Sequence, residues 1–328
     1  MRRNTTKLTD VAREAGVSVA TVSRCLHMPD KVNASTRERV MRIIARTGYA
    51  PDLAARALKT GRSRIMGAVV PTLENSIFAR GLQAFQDELS ANDTTLLLAS
   101  SNYDPDSEFR QVRALAAQGI GGLMLIGEAR SADVYDLLER YAIPYVVAWI
   151  LGAPGHSSVG FDNRAAAEMM TRAVIDAGHR RIAMVAGISR GNDRAAGRIE
   201  GVRKACAEAG LAEPTVREAA YSFDAAGDAL DEILVDGDTP DAVICGNDVQ
   251  GVGVVRRAQR RGLSVPGDFV VTGFDDIDLA SVVSPALTTV HVPHRRMGTL
   301  CARVLLEGGT RRDVIETQIV WRSSFPKP

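Results

Sequence analysis

The sequence predicts an α/β protein in two parts: an N-terminal helix-turn-helix head, then a two-lobed body of parallel-sheet α/β subdomains. Three observations carry that reading. Apolar residues in the first 50 positions recur at helical spacing in three short segments. Beyond residue 64, short apolar runs bounded by turn residues alternate with helix-like stretches, in two similar series. Charge divides at the same place: residues 1–64 carry 14 Lys and Arg against 5 Asp and Glu, and the remainder carries 26 against 34. With 328 residues, 45% of them hydrophobic, the chain is long enough for two domains or more and a sizeable core. Aromatic residues are only 5%, so aliphatic side chains must fill that core.

In the head, Thr9 is placed to cap a first helix whose Val11, Ala12 and Ala15 share one face. Gly16 supplies the permissive backbone of a short turn. Ser18 stands at the N-cap of a second helix, Val19 to Leu26, with Val22 and Leu26 four residues apart on the buried side. Val19, Ala20, Thr21, Ser23 and Arg24 point elsewhere. The N-terminal end of such a second helix is the part that reaches base edges in a major groove. A third helix runs from about Ser35 to Thr47, capped by Asn33 or Ser35, and buries Val40, Ile43 and Ile44. Gly48 ends it and Pro51 prevents a restart. Three short helices bury little area, which suits a docking module better than an enzyme. The net charge of +9 over residues 1–64 points to a polyanion as partner, against the plainer alternative of a solvated basic face.

In the body, the runs are IMGAVV (65–70), TTLLLA (94–99), GLMLI (122–126) and YVVA (145–148), then RIAMVA (181–186), VREAA (216–220), AVICG (242–246) and FVVTG (269–273). The two series predict two similar lobes with a cleft between them and crossings near 160, 290 and 320. Ligands in such folds bind beyond the carboxyl ends of the strands. Those ends carry PTLENSIFA (71–79), GISRGNDRAAGR (187–198), Asn247-Asp248 and Phe274-Asp275-Asp276. Asn and Asp side chains can hold hydroxyls in two directions, Arg198 can hold a carboxylate or several oxygens, and Phe78 and Phe223 can stack on a ring. Each of these residues can instead cap its own turn. That second reading is taken for Asp248 and Asp276, and the ligand role for Arg198 and Asp275.

The run from Leu8 to Ser63, LTDVAREAGVSVATVSRCLHMPDKVNASTRERVMRIIARTGYAPDLAARALKTGRS, resembles the N-terminus of the LacI/GalR family of bacterial regulators. The pattern DVAxxAGVSxxTVSR, then RxxV, GYxP and ARxLxxG, is highly specific. The rest resembles the family's periplasmic-binding-protein-like sensor, so the likeness spans nearly the whole chain. PTLENSIFA, VGFDN and the spacing of RCLHMPDKV bring it nearest to gluconate-type repressors. The resemblance implies that Val19, Ala20 and Arg24 read bases, with Arg24 on guanine and the two apolar residues on thymine methyls. It places Thr21 and Ser23 on phosphates, which fix register only. Thr9, Ser18, Asn33, Tyr49, Arg56 and Ala57 complete the DNA-facing set. Residues 52–60 match the hinge helix, with Leu58 as the wedge that unstacks a minor-groove step. In the sensor, Phe78, Arg198, Phe223, Asn247 and Asp275 match the ligand pocket, with Asn75, Asp162 and Trp149 as additions. The loop 187–194 holds one residue more than expected, which leaves Ser189 to Arg194 unassigned.

The family implies a repressor controlled by a sugar or sugar acid, acting as a homodimer on palindromic double-stranded operator DNA, with no cofactor. The expected divisions are 1–62 for the DNA-binding domain and 63–328 for the sensor. Within the sensor one lobe takes about 63–160 and 291–319, and the other takes about 161–290 and 320–328. Two rivals stand beside this reading. Gly187-Ile-Ser189-Arg-Gly191 fits the GxSxG of a serine hydrolase, and Asp275 with His291 or His294 follows in hydrolase order. GxSxG arises easily by chance, however, and leaves the basic head unexplained. An exported solute-binding protein would share the two lobes, but the N-terminus lacks the apolar stretch of a signal peptide, so a cytoplasmic protein is expected. His291 and His294 flank Pro293, which disfavours a helical metal pair. No apolar run is long enough to span a membrane. Cys25, Cys206, Cys245 and Cys301 form no CxxC pair and read as buried thiols.

Overall fold

The structure, a computed structural model, describes residues 6–49, 63–235 and 239–327. The chain forms two compact units, Met1–Ser63 and Arg64–Pro328.

The first unit holds α1 (Leu8–Ala15), α2 (Val19–His27) and α3 (Ala34–Thr47). Helix α1 starts earlier than a Thr9 cap requires. Lys7 is the N-cap, and its amide donates to Asp10 Oδ2 at 3.0 Å, so Thr9 sits exposed within the first turn. Gly16, at φ +62°, closes the helix in the left-handed conformation that a Cβ disfavours. Ser18 caps α2, its Oγ accepting from the Thr21 amide at 3.1 Å. Asn33, not Ser35, caps α3, because its Oδ1 accepts from the Ser35 amide at 3.0 Å. Val11, Ala12, Ala15, Val22, Cys25 and Val40 form the core, with Leu26, Ile43, Ile44 and Tyr49 packed around it. The expected hinge helix at 52–60, with Arg56, Ala57 and Leu58, lies outside the described residues.

The second unit opens with β1 (Ile65–Val70), α4 (Ser76–Ala91), β2 (Thr95–Ser100), α5 (Pro105–Ala117), β3 (Leu123–Ile126), α6 (Ala132–Arg140), β4 (Tyr145–Ala148) and β5 (Ser158–Gly160). The second lobe follows as α7 (Asn163–Asp176), β6 (Ile182–Gly187), α8 (Asp193–Glu208), β7 (Thr215–Ala219), α9 (Phe223–Val235), β8 (Ala242–Cys245), α10 (Asp248–Arg260), β9 (Val270–Asp275), α11 (Asp278–Val282) and β10 (Thr288–His291). The chain then returns to the first lobe as α12 (His294–Glu307) and β11 (Arg312–Val314), and ends in the second with β12 (Gln318–Val320).

The two six-stranded sheets have matching orders, β11-β5-β4-β3-β1-β2 and β12-β10-β9-β8-β6-β7. All neighbours are parallel except β12, which runs antiparallel to β10. The last crossing precedes residue 320. Gln318 pairs with His291 and Ile319 with Val290, so both belong to the second sheet and not to the first as expected. Helices cover both faces of each sheet, and their buried aliphatic stripes meet the strands on either side. Helices α4 and α12 cross at glycine contact: a Cβ on Gly298 would lie 1.9 Å from the Gly81 carbonyl oxygen. The two glycines of GVGVV serve packing in the same way. A Cβ on Gly253 would lie 2.5 Å from the Phe223 carbonyl, where α9 meets α10. No helix among the described residues is long and apolar enough to cross a membrane.

Candidate functional site

On the head, burial of Val22 and Cys25 turns the opposite side of α2 outward. Ser18, Val19, Ala20 and Arg24 are exposed there, and Thr21 and Ser23 are half-buried. The Ser18 and Thr21 hydroxyls lie 2.9 Å apart, and Ser18 already holds the Thr21 amide. These two residues therefore fix the start of α2, and Val19, Ala20 and Arg24 stand exposed beside them. Thr9 and Asn33 are also exposed, and Tyr49 is half-buried against the head core.

In the sensor, a cleft opens at the carboxyl ends of the strands, between the lobes. It is lined by Asn75, Phe78 and Trp149 of the first lobe and Arg198, Asn247 and Asp275 of the second, together with Ile77, Tyr103, Asn192, Arg194 and Tyr221. Two expected residues do not line it. Asp162 is exposed and caps α7, its Oδ1 accepting from the Ala165 amide at 3.0 Å. Phe223 opens α9 and packs with the second-lobe core, with the Arg256 guanidinium 5.5 Å from its ring centre. An Asp or Phe after a strand can serve a helix start or a cleft, and here local packing takes both.

Arg198 and Asp275 form the buried centre. The Arg198 guanidinium donates to Asn163 Oδ1 at 3.0 Å and to the Gly246 carbonyl at 2.5 Å, and lies 3.6 Å from the Phe274 ring centre. Its Nη2 is 3.6 Å from Asp275 Oδ1, which gives charge attraction but falls short of a hydrogen bond. Asp275 Oδ1 is buried with no hydrogen-bond partner. Burial raises the Asp275 pKa, and Arg198 opposes that shift. Asp275 also sits at φ +101°, and Tyr103 and Trp149 are at +59° and +64°. Each such backbone costs on the order of 1–3 kcal/mol, and strain of this kind gathers at functional sites.

Trp149 is fixed from behind. Its Nε1–H donates to His294 Nδ1 at 3.1 Å. The His294 proton therefore sits on Nε2, which faces the Asp275 carbonyl at 3.2 Å. Burial pushes the His294 pKa down to about 3, so the ring is neutral. Phe78 meets Trp149 edge-on at 5.5 Å. The cleft thus joins an aromatic wall to converging amide, phenol, guanidinium and carboxylate groups, which suits a hydroxylated ring.

Asp248 and Asp276 take structural roles. Asp248 accepts from the Ile277 amide at 2.7 Å and from the Thr289 hydroxyl at 2.5 Å. Asp276 pairs with Arg322 and His291. Among the described residues the GxSxG loop brings no histidine to Ser189, whose hydroxyl and amide both donate to Glu218, at 2.7 and 2.8 Å. Asn192 and Arg194 belong to the loop whose length blurred its assignment. Tyr103 and Tyr221 follow β2 and β7, so the strand-end rule that found Asn247 applies to them as well.

On either side of the cleft the lobes are tied together. Arg80 of α4 pairs with Asp278 of α11. Asp193 Oδ2, at the start of α8, accepts from the amides of Glu128 and Ala129 beyond β3.

Comparison with known proteins adds a family. Residues 7–52 match bacterial regulatory proteins of the lacI family, and residues 171–325 match a periplasmic binding protein-like domain. Catabolite control protein A of Priestia megaterium is 30% identical over 95% of this chain and 94% of its own length. The transcriptional regulator GntR of Escherichia coli K12 is 32% identical over 93% and 92%. Among solved structures, a complex of the transcriptional regulator CelR with cellobiose superposes with a TM-score of 0.73 at 29% identity, over 97% of this chain and 99% of that one. The lac repressor dimer bound to operator and an anti-inducer shares the fold, with a TM-score of 0.86 at 24% identity over 98% and 100%.

Proposed function

The chain belongs to the lacI family of bacterial regulatory proteins, and from that premise we propose that it is a transcriptional repressor whose cleft takes a sugar or sugar acid. It is a DNA-binding regulator whose operator affinity answers to a small ligand. Two chains pair as a homodimer, so that two α2 helices enter successive major grooves of a palindromic operator. Arg24 reads guanine, Val19 and Ala20 meet thymine methyls, and Thr21 and Ser23 hold phosphate. Leu58 is the wedge of the hinge.

The observation that carries the ligand reading is Asp275 Oδ1, buried and unpartnered on a cleft wall beside Arg198. An unpaired buried oxygen costs about 1–3 kcal/mol, and two ligand hydroxyls would answer it. Phe78 and Trp149 supply the apolar face that a sugar ring needs, and Asn75 and Asn247, whose Oδ1 atoms accept from the Ile77 and Gln250 amides of their own helices, add side-chain amide donors. The cellobiose complex of CelR supports the same ligand class. The relatives are regulators and Ser189 is bound to Glu218, so the hydrolase reading is not adopted.

Thermal unfolding of the full chain against a panel of sugars, sugar acids and purines tests this. A ligand at 100 times its dissociation constant adds about 2.7 kcal/mol to the stability of the body. A hit confined to purines would overturn the carbohydrate reading.

A further inference from the structure

The turn that follows β3 is built to receive a carboxylate. Gly127 stands at φ +72°, which brings the successive amides of Glu128 and Ala129 to one side as an anion-binding nest. The carboxylate comes from the other lobe. Asp193 Oδ2, in the first turn of α8, accepts from those two amides at 2.5 and 3.1 Å. Arg194 completes the joint, its Nη1 donating to the Ile126 carbonyl at 3.3 Å and to Asp193 Oδ1 at 2.8 Å. We propose that this clasp sets the balance between closed and open lobes, and that Asp193 and Gly127 are positioning residues for operator binding. Neither lines the cleft, and both act on the head through lobe closure. The proposal holds whatever the cleft binds.

The clasp is better shielded than the Arg80–Asp278 pair. The Asp193 and Arg194 side chains are 20% and 9% exposed. Asp278 is 92% exposed, where water and salt weaken an ion pair. The first-lobe half of the clasp is held rigid from behind. Buried Arg130 donates from Nη2 to the Ile126 carbonyl at 3.1 Å, and its amide donates to the Glu128 carbonyl at 2.7 Å. The Glu128 carboxylate accepts from the Ala153 amide at 3.0 Å and meets His156 Nδ1 at 2.7 Å. It thereby joins the turn to the loop that leaves Trp149, the aromatic wall of the cleft. The fit between the two halves is close. A Cβ on Gly127 would lie 1.9 Å from Arg194 Nη1 and 2.5 Å from Asp193 Oδ1. Both obstructing atoms are ends of side chains, so a methyl there displaces the clasp and leaves the backbone of each lobe in place. Gly119, at φ +68° in the same lobe, has nothing within 4 Å of its Cβ position, so it needs glycine for conformation alone.

The test uses the full chain carrying Asp193→Ala, Gly127→Ala or both, with Gly119→Ala as the control for left-handed strain alone. Gly127→Ala breaks the clasp without removing a charge. Operator affinity is measured on a site selected from random DNA with the wild-type chain. Lobe opening is read as acrylamide quenching of Trp149 in a Trp321→Phe background. Losing one charge-assisted hydrogen bond shifts the open-to-closed ratio by about tenfold or more. Each clasp variant is therefore expected to raise the Trp149 quenching constant at least about twofold and to change operator affinity at least about threefold, both in the same direction. The double variant is expected to go no further than the larger single one, because both substitutions remove one joint. Gly119→Ala is expected to lower the melting temperature and leave both readouts at wild-type values. The proposal is overturned if Asp193→Ala and Gly127→Ala leave quenching unchanged, or if they move operator affinity in opposite directions. It is also overturned if quenching rises while operator affinity holds, or if Gly119→Ala matches Gly127→Ala.

Discussion

Arg198→Ala isolates the centre of the cleft. The substitution removes a guanidinium that donates to Asn163 Oδ1 and the Gly246 carbonyl, lies 3.6 Å from the Phe274 ring centre, and sits 3.6 Å from Asp275 Oδ1. The two charged side chains are 6% and 1% exposed, so water cannot take the place of either partner without opening the lobes. Breaking a buried pair by removing one member costs about 3–5 kcal/mol, because the other charge is left without compensation. Burial already raises the Asp275 pKa, and loss of Arg198 removes the group that holds it down. The folded variant then binds a proton at Asp275 more tightly than the unfolded chain does. Its stability therefore falls as pH rises, and the loss relative to wild type is larger at pH 8 than at pH 5. Both tryptophans, Trp149 and Trp321, belong to the second unit, so intrinsic fluorescence in urea follows that unit alone. Arg198→Met combined with Asp275→Asn should cost less than Arg198→Ala, since no unpaired charge remains. A loss below about 1 kcal/mol, or one that does not change with pH, would refute the assignment of Arg198 and Asp275 as a mutually compensating buried pair.

Further outcomes follow from other parts of the molecule. His294 is neutral when folded, with a pKa near 3, and the unfolded ring titrates near 6.5; the body should lose about 2 kcal/mol between pH 7.5 and pH 5, and His294→Gln should flatten that limb in urea titrations. Gly298→Ala places a methyl against the Gly81 carbonyl and should lower stability by about 2–3 kcal/mol, read as a drop in melting temperature. Arg24→Ala should cost about 1–3 kcal/mol at one base pair of each half-site and relax preference there; uniform weakening across sequences would reduce Arg24 to a phosphate contact. A fluorophosphonate probe should leave Ser189 unlabelled, because its hydroxyl is held by Glu218 and not by a histidine.

The strong signals in the sequence were those with a long physical period. Val11, Ala12, Ala15, Val22 and Val40 repeat at helical spacing because a three-helix head has one core, and all five are buried. Six of the eight runs, those of β1, β3, β4, β6, β8 and β9, stand out because strands covered on both faces must be apolar along their length, whereas the edge strands β2 and β7 are partly exposed. Strands β5, β11 and β12 have three residues each, too few for a pattern, so the sequence places the last crossing only near 320, and it lies between β11 and β12. Caps were legible where a side-chain oxygen does the capping, as at Ser18 and Asn33. At α1 the acceptor comes from Asp10 inside the helix, and Thr9 misleads. In the cleft, Asn75, Phe78, Arg198, Asn247 and Asp275 follow from the strand-end rule, and the cavity brings them together. The same rule cannot separate a residue that faces the cleft from one that caps its own helix, as Asp162 does. Nor does it show that Trp149, Tyr103 and Asp275 reach the cleft on strained backbone, which only the folded chain imposes.

The central claim is that the cleft and the head are thermodynamically linked. It is tested most directly by closing the binding cycle. An operator is selected from random DNA with the full chain, its dissociation constant is measured with and without the stabilising sugar, and the sugar's constant is measured with and without the operator. The account predicts that the two ratios agree, at about 5- to 150-fold, corresponding to a coupling of about 1–3 kcal/mol. A sugar that binds the cleft and leaves operator affinity unchanged would contradict it.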